Sequence, residues 1–478
     1  MSMRKTKIVC TLGPASSDAE TIRAMLAAGL NVARLNFSHG THESHKEVIG
    51  LFRQLRDEME LPAAVMLDTK GPEIRVGKFT DGSARLKTGQ SVTLTTKEIM
   101  GSDSAVFISY RDLPGQIEPG TRILIDDGKI ALNAVSVTET DIECTVEHGG
   151  LVKDRKSVNI PGSRLKMPYL SEADKADLMF GIEHNVDFIA ASFVRKREDV
   201  SDLRKFLDYH GGHSIKIISK IENLEGIENF DEILKSSDGI MVARGDMGVE
   251  VEYERLPGLQ KKFIKACYSA GKMAITATQM LESMVSSPTP TRAEITAVAN
   301  AVFDGTSAVM LSAESAAGQY PVRAVEVIAK IARQAEKDAF EQGAYRDIHY
   351  DMDASDTTNA ICDATCRAAQ DIRAKAIITV TKFGTTARRM SKFRPQTPIV
   401  AATPIEKTFH QMALSWGVYP ARARMQSSTD DLFIHAIDCA RLLNLVENGD
   451  TVVITGGVPL GTAGTTNILK VQVVGERK

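Results

Sequence analysis

At 478 residues, 43% of them hydrophobic and 25% charged, the chain has the composition of a globular protein of two or three domains. A formal net charge of −3 leaves no basic excess to collect polyanions, which argues against a nucleic-acid or membrane-surface partner, so a bound phosphate has to be gripped locally. Six cysteines (Cys10, Cys144, Cys267, Cys362, Cys366, Cys439) without a CxxC read as small core residues, and no apolar leader or membrane-length run is found, so a reducing cytoplasmic location is expected.

Strand-like and helix-like runs alternate from the start. The pattern predicts a strand over 8–12, a helix over 19–28, a strand over 32–37, a helix over 43–59, and a strand over 64–67 that ends in Asp68-Thr69-Lys70-Gly71. From 72 to 166 the rhythm changes to short alternating segments separated by Asp81-Gly82, Pro119-Gly120, Asp127-Gly128, Gly149-Gly150 and Pro161-Gly162, the pattern of a small all-β module. The βα alternation then resumes with strands over 188–192, 215–221, 239–243, 274–277 and 308–311. Helices are expected over 172–184, 198–209, 230–234, 258–269, 292–303 and 322–339. Eight strands, each followed by a helix, predict a (β/α)8 barrel of residues 1–70 and 169–345 with a β-barrel lid, 71–168, inserted after the third strand. A doubly wound open sheet competes, but polar residues end nearly every strand: Asn36, Asp68, Ser192, Glu222, Arg244, Thr278 and Ser312. Converging polar strand ends are what the active face of a barrel needs. Residues 346–478 read as a third, open α/β unit, with helices over 357–372, 385–393, 408–416 and 432–443 and strands over 376–380, 399–402 and 452–455.

The chemistry concentrates where Ile217-Ile218-Ser219-Lys220-Ile221-Glu222-Asn223 ends, because residues two apart on a strand share a face. An ammonium beside a carboxylate there can hold a phosphoryl group together with its metal; alone, the segment reads more simply as an exposed ion pair. Arg34, Asn36 and Ser38 alternate with apolar residues and offer a guanidinium, an amide and a hydroxyl to one side. His39, His42 and His45 suggest zinc, but Thr41 reads as the N-cap of the next helix and a short thiol-free cluster is a weak signal. Arg244-Gly245-Asp246-Met247-Gly248 combines glycines that admit an anion to the backbone with a carboxylate suited to a metal. Taken together, these groups favour metal-assisted phosphoryl transfer, and the lack of a G-x-x-x-x-G-K-[ST] run excludes a P-loop NTPase.

From end to end, the runs 32–40, 67–75, 217–223, 241–248, 276–284 and 290–294 make the chain resemble the pyruvate kinase family. The resemblance implies transfer of phosphate from phosphoenolpyruvate to ADP by a homotetramer. It assigns Lys220 to the phosphoryl group in flight, Glu222 and Asp246 to a divalent ion (Mg²⁺ or Mn²⁺), and Arg34 to the substrate phosphate. The substrate carboxylate falls to the backbone of Ala243, Arg244, Gly245 and Asp246 with Thr278. Asn36, Ser38, Asp68 and Thr69 surround K⁺, on which Glu73 implies dependence. Asn36, His39, Arg75 and the lid residue Lys156 lie on the nucleotide side, and Thr278 and Ser312 relay a proton to the enolate. Thr381, Lys382, Gly384, Thr385 and Thr386, which open a helix after a strand, match the family's binding loop for a phosphorylated activator, with 461–466 facing it. Ser157 stands where many relatives have glycine, Met247 where leucine is usual, and Phe383 where a serine often meets the activator. A metal-dependent lyase acting on pyruvate enolate and a vestigial metabolite sensor are the competing classes; the lid with Arg75 and Lys156 argues against the first, and the intact Lys220, Glu222 and Asp246 set against the second.

Overall fold

A computed structural model describes residues 3–345, 356–459 and 466–476. Eight parallel strands close into a barrel: β1 (Lys7–Thr11), β2 (Val32–Asn36), β3 (Ala64–Asp68), β4 (Phe188–Ala191), β5 (Lys216–Ile221), β6 (Gly239–Ala243), β7 (Met273–Ala277) and β8 (Ala308–Leu311). Each is an almost wholly buried apolar run, as a parallel sheet covered on both faces requires. The helices between them start where the sequence places a cap: Thr41 with Ser44, Ser171 with Asp174 and Thr291 with Glu294 bond reciprocally to each other's backbone. Alternate strand residues fill the barrel. Val9, Val32, Met66, Ala190, Ile218 and Met310 form one interior cluster, closed from below by Leu414 of the C-terminal unit. All six cysteines are buried and free.

Between β3 and β4, which are hydrogen-bonded neighbours, the chain makes the inserted module. Seven of its strands form one mixed sheet and two more a separate ribbon. The sheet curls until its edge strands, Ile74–Arg75 and Ala105–Phe107, are joined by the Val76–Ile108 bridge and by Gly77 N–H to Phe107 O at 2.8 Å. Its core of Leu94, Ile123, Ile125, Leu132, Ile142 and Val152 is separate from the barrel's. Two attachments tie it down. Gly71, at φ +70, donates its N–H to Asp174 at 3.0 Å, and a Cβ there would lie 2.7 Å from the Ser192 carbonyl, so only glycine passes. On the return, Arg195 donates to the Leu165 and Met167 carbonyls at 3.2 and 2.9 Å while paired with Asp199.

The C-terminal unit is a five-stranded open sheet built on Ala376–Val380, Ile399–Thr403 and Thr451–Gly457. It also holds two strands that sequence periodicity does not reveal, Val418–Arg422 and the antiparallel Thr466–Val473. The helix expected over 408–416 is instead Glu406–Gln411, continued by the 3-10 turn Met412–Leu414. This unit docks on the N-terminal ends of the barrel strands: Lys7 Nζ donates to the Val418 carbonyl at 2.6 Å and Gln411 to the Asp187 and Ser214 carbonyls. The opposite end of the barrel, where the strands finish, is left to the lid. No helix among the described residues is long and apolar enough to cross a membrane.

Candidate active site

The inward rows of the barrel strands end in polar residues one step beyond the apolar interior: Val9 then Thr11, Val32 then Arg34, Met66 then Asp68, Ala190 then Ser192, Ile218 then Lys220. Asp68 is the hub of this layer. It accepts Arg34 Nε at 2.6 Å, Lys220 Nζ at 3.1 Å and Ser192 Oγ at 3.1 Å. Burial alone would raise its carboxyl, but the Arg34 and Lys220 charges outweigh that and hold it below its ordinary value. Arg34 is oriented further by Thr11 Oγ1 at 2.8 Å. Lys220 also meets Ser192 Oγ at 2.7 Å and Glu222 Oε1 at 2.9 Å. Burial pulls against its ammonium, yet Asp68 and Glu222 more than compensate and its pKa is raised.

Glu222 accepts the Phe193 N–H at 2.6 Å and lies close enough to Asp246 for the two carboxyl groups to act on each other electrostatically. Burial pushes the Glu222 carboxyl up to about 7 and raises Asp246 as well. Both carboxyl groups stay raised although the Lys220 ammonium offsets part of the burial, so one lysine does not balance the pair, and their hard oxygens fit a divalent cation. Glu73 is in the same position in milder form: burial raises it although Arg75 holds both its oxygens at 2.9 and 2.8 Å. Asn36, Ser38, Asp68 and Thr69 are likewise an all-oxygen donor set, though Asn36 Oδ1 accepts the Ser38 N–H at 3.1 Å and Thr69 Oγ1 the Ser192 N–H at 3.2 Å.

One cavity of about 520 Å³ between barrel mouth and lid is lined by Arg34, Asn36, Ser38, His39, Asp68 and Glu73 with Arg75, Lys156, Lys220, Glu222 and Asp246. Burial, with Arg75 and Arg34 adding to it, lowers the His39 pKa. Lys156 does not reach into open space: its ammonium is 2.8 Å from Asp126 Oδ1. Ser157 lies in a regular strand opposite Arg75, a conformation that needs no glycine. Thr69, Ala243, Arg244, Gly245, Thr278 and Ser312 are outside this wall. Thr278, at φ +66, accepts the Gly245 N–H at 2.8 Å and donates to the Ala277 carbonyl, while the Arg244 guanidinium is turned onto the carbonyls of Thr278 and Gln279. Ser312 donates its N–H to Glu314, which also takes the Leu281 N–H and so ties the loops after β7 and β8 together.

His42 and His45 sit in the first turns of the helix His42–Glu58, bonded to Asp177 and to the His39 carbonyl, and do not converge. Among the described residues, only Asp57, Glu406 and His410 bring three ligand-type atoms within 4.8 Å of one another, and there Arg422 already grips both oxygens of Glu406.

Residues 3–325 match the family model "Pyruvate kinase, barrel domain" and 359–472 the model "Pyruvate kinase, alpha/beta domain". The chain is 47% identical to a pyruvate kinase of Clostridium acetobutylicum over 99% of its own length and 100% of that protein's. With a pyruvate kinase of Geobacillus stearothermophilus it shares 46% identity over 99% of its length and 81% of that protein's. The chain belongs to the pyruvate kinase family. A crystal structure of a pyruvate kinase from Cryptosporidium parvum superposes with a TM-score of 0.90 at 38% identity, covering 98% of this chain and 96% of that one. The closed barrel, curled lid and C-terminal α/β unit are thus those of the pyruvate kinase fold, and the chain is a kinase of that class.

Sequence reasoning missed Ser192 as a bridge between Asp68 and Lys220, Thr11 behind Arg34, and Asp126 beneath Lys156. The first two were within reach of the two-residue step that picked out Arg34 and Lys220. Asp126 was not, because its contact spans the lid.

Proposed function

We propose that this chain transfers the phosphoryl group of phosphoenolpyruvate to a β-phosphate oxygen of ADP, giving pyruvate and ATP at the last step of glycolysis in the cytoplasm. The observation that carries the reading is the Lys220 ammonium, held between Asp68 and Glu222 in one cavity with Arg34. A coupled assay for pyruvate with and without ADP tests it: pyruvate only with ADP supports the kinase, pyruvate without ADP a lyase, and none a non-catalytic sensor.

In this reading Arg34 and Lys220 grip the transferring phosphoryl oxygens and stabilise their charge as the bond to the enol oxygen breaks. Glu222 and Asp246 would hold Mg²⁺ or Mn²⁺, which would supply further charge neutralisation. Asn36, His39, Arg75 and Lys156 face the nucleotide, and Lys156 exchanges Asp126 for a phosphate. The backbone of Ala243–Asp246 with Thr278 places the substrate carboxylate, and Thr278 and Ser312 lead a proton to the enolate carbon.

The divisions at 70/71, 168/169 and 345/346 and the homotetramer belong to the same proposal. The joints at 69–72 and 167–168 act as a hinge that lets the lid shut out water. Small-angle scattering with substrate, metal and nucleotide together is expected to show a smaller radius of gyration than the free protein; superimposable profiles would count against closure.

Asn36, Ser38, Asp68 and Thr69 hold K⁺ beside Glu73. Activity is expected to drop roughly an order of magnitude when K⁺ is replaced by a bulky organic cation, the effect of losing one buried charge contact of about 1–3 kcal/mol. Glu73→Lys should narrow that gap, and an unchanged gap would sink the assignment.

The turn of Thr381, Lys382, Gly384, Thr385 and Thr386 receives a phosphorylated activator. The support is a tight turn: Gly384, at φ +74, donates its N–H to Thr381 Oγ1 at 3.0 Å, and Thr386 Oγ1 meets Thr466 Oγ1 at 2.7 Å. Residues 460–465 of the facing loop lie outside the described residues. Phosphoenolpyruvate saturation curves with fructose 1,6-bisphosphate, glucose 6-phosphate, ribose 5-phosphate and AMP are expected to shift to lower half-saturation with at least one, and Thr385→Glu to abolish that shift.

A further inference from the structure

The two chain segments that join lid to barrel meet at one peptide group, the one between Ser192 and Phe193 just beyond β4. On the outgoing side a Cβ at Gly71 would lie 2.7 Å from the Ser192 carbonyl oxygen, so the chain passes directly against it. On the return side the Tyr169 hydroxyl donates to the same oxygen at 3.1 Å. Tyr169 follows the joint at 167–168, is buried, and packs its ring into the barrel core. Two residues further on, Ser171 caps the helix Glu172–Glu183, whose Asp174 takes the Gly71 N–H, so the two joints are also tied to each other. The opposite edge of the same peptide faces the active site. The Phe193 N–H donates to Glu222 Oε2 at 2.6 Å, and the Ser192 hydroxyl oxygen accepts from Lys220 Nζ at 2.7 Å.

We propose that Tyr169 is a positioning residue: its hydroxyl holds the Ser192–Phe193 peptide, and through that peptide the return joint of the lid sets the placement of Glu222 and Lys220. The proposal rests on the reading of the cavity as the phosphoryl-transfer site and adds a link that reading does not contain. A trans peptide is a rigid plane, so fixing its carbonyl fixes the direction of its N–H. Phe193 makes the fixing necessary. Its φ is +53, a left-handed conformation that a bulky residue rarely adopts and that persists only where the surroundings hold it. Relaxation of that angle rotates the plane about the N–Cα bond and swings the N–H away from Glu222. Tyr169 itself is not in the cavity wall, whereas Ser192, Phe193, Lys220 and Glu222 are, so the hydroxyl acts on the site through the peptide and not by touching substrate. Phenylalanine would fill the same core space; what tyrosine adds is the donor for the carbonyl.

Tyr169→Phe removes the hydroxyl and leaves the ring in the core. Calorimetric titration of the whole protein with Mn²⁺ alone, in K⁺ buffer without substrates, reads the placement of Glu222 independently of turnover. Tyr169→Phe is expected to weaken Mn²⁺ binding about three- to tenfold, the range for one neutral hydrogen bond, and to lower kcat by a similar factor with the KM for phosphoenolpyruvate unchanged. In a Glu222→Gln background the same substitution should leave Mn²⁺ affinity where that background puts it, because the peptide then has no carboxylate to place. A hydroxyl that serves only stability would lower the unfolding temperature and leave Mn²⁺ affinity and kcat, both measured well below it, unmoved. That result would overturn the proposal, as would an equal loss of Mn²⁺ affinity in both backgrounds or a change confined to KM. The dependence of the parent's pyruvate formation on ADP tests the kinase reading by itself, so a failure of that reading is told apart from a failure of the Tyr169 link.

Discussion

Lys220→Ala is expected to lower kcat by about a thousandfold while leaving divalent-metal binding largely intact, by comparison with the loss of one pre-organised oxyanion donor. The argument rests on charge and geometry together. The ammonium is buried, raised in pKa, and fixed at three points by Asp68, Ser192 and Glu222. It therefore needs little reorganisation as charge redistributes over the phosphoryl oxygens, and its contribution is largest in the transition state. Alanine leaves Asp68 still paired with Arg34, whereas Glu222 loses its cation, so metal titration shows whether the carboxylate pair survives. The decisive readout is the split between kcat and KM. A change confined to KM would mean that Lys220 serves ground-state binding only.

Lys220 also shows how far the sequence alone could lead. The barrel was legible because its strands are buried parallel runs of uniform character, and because a two-residue step carries each apolar interior row into a polar end, as from Ile218 to Lys220. The same step reaches Thr11 and Ser192, but a lone hydroxyl at a strand end resembles any turn residue, so their support of Arg34 and Lys220 became visible only through hydrogen bonds across strands. The helices Leu224–Glu228 and Arg244–Glu250 are too short for a 3.6-residue period to register. Val418–Arg422 escaped because Pro420 and Arg422 break the strand pattern, which an edge strand tolerates. Turn signals marked the lid, whereas its closure through Val76 and Ile108 is a long-range pairing that no local pattern encodes. Lys156 illustrates the same limit: its partner Asp126 sits in an Asp126-Asp127-Gly128 turn with φ of 54° and 56° at the two aspartates, thirty positions back along the chain.

Glu222→Gln is expected to raise the concentration of Mg²⁺ or Mn²⁺ needed for half-saturation by an order of magnitude or more, in line with the roughly 10–100-fold effects of disturbing even the outer shell of a metal site. Glutamine can still accept the Phe193 N–H, so the loop after β4 keeps its anchor; what disappears is one of the two carboxylates, which leaves Asp246 alone. Protons provide an independent check. Burial pushes the Glu222 carboxyl up to about 7, so in the metal-free protein a proton and a divalent ion compete for it. Above that pH the group is ionised and ready to bind. Below it, each unit of acidification should weaken apparent metal affinity by up to about tenfold, because a proton has to leave before the ion can enter. The parent protein should therefore show metal affinity falling steeply from pH 7 towards 6, and Glu222→Gln, with no proton to release at that position, a flatter profile from a weaker start. Metal titrations of the two proteins that overlay at pH 8, or parallel pH profiles, would remove Glu222 from the ligand set.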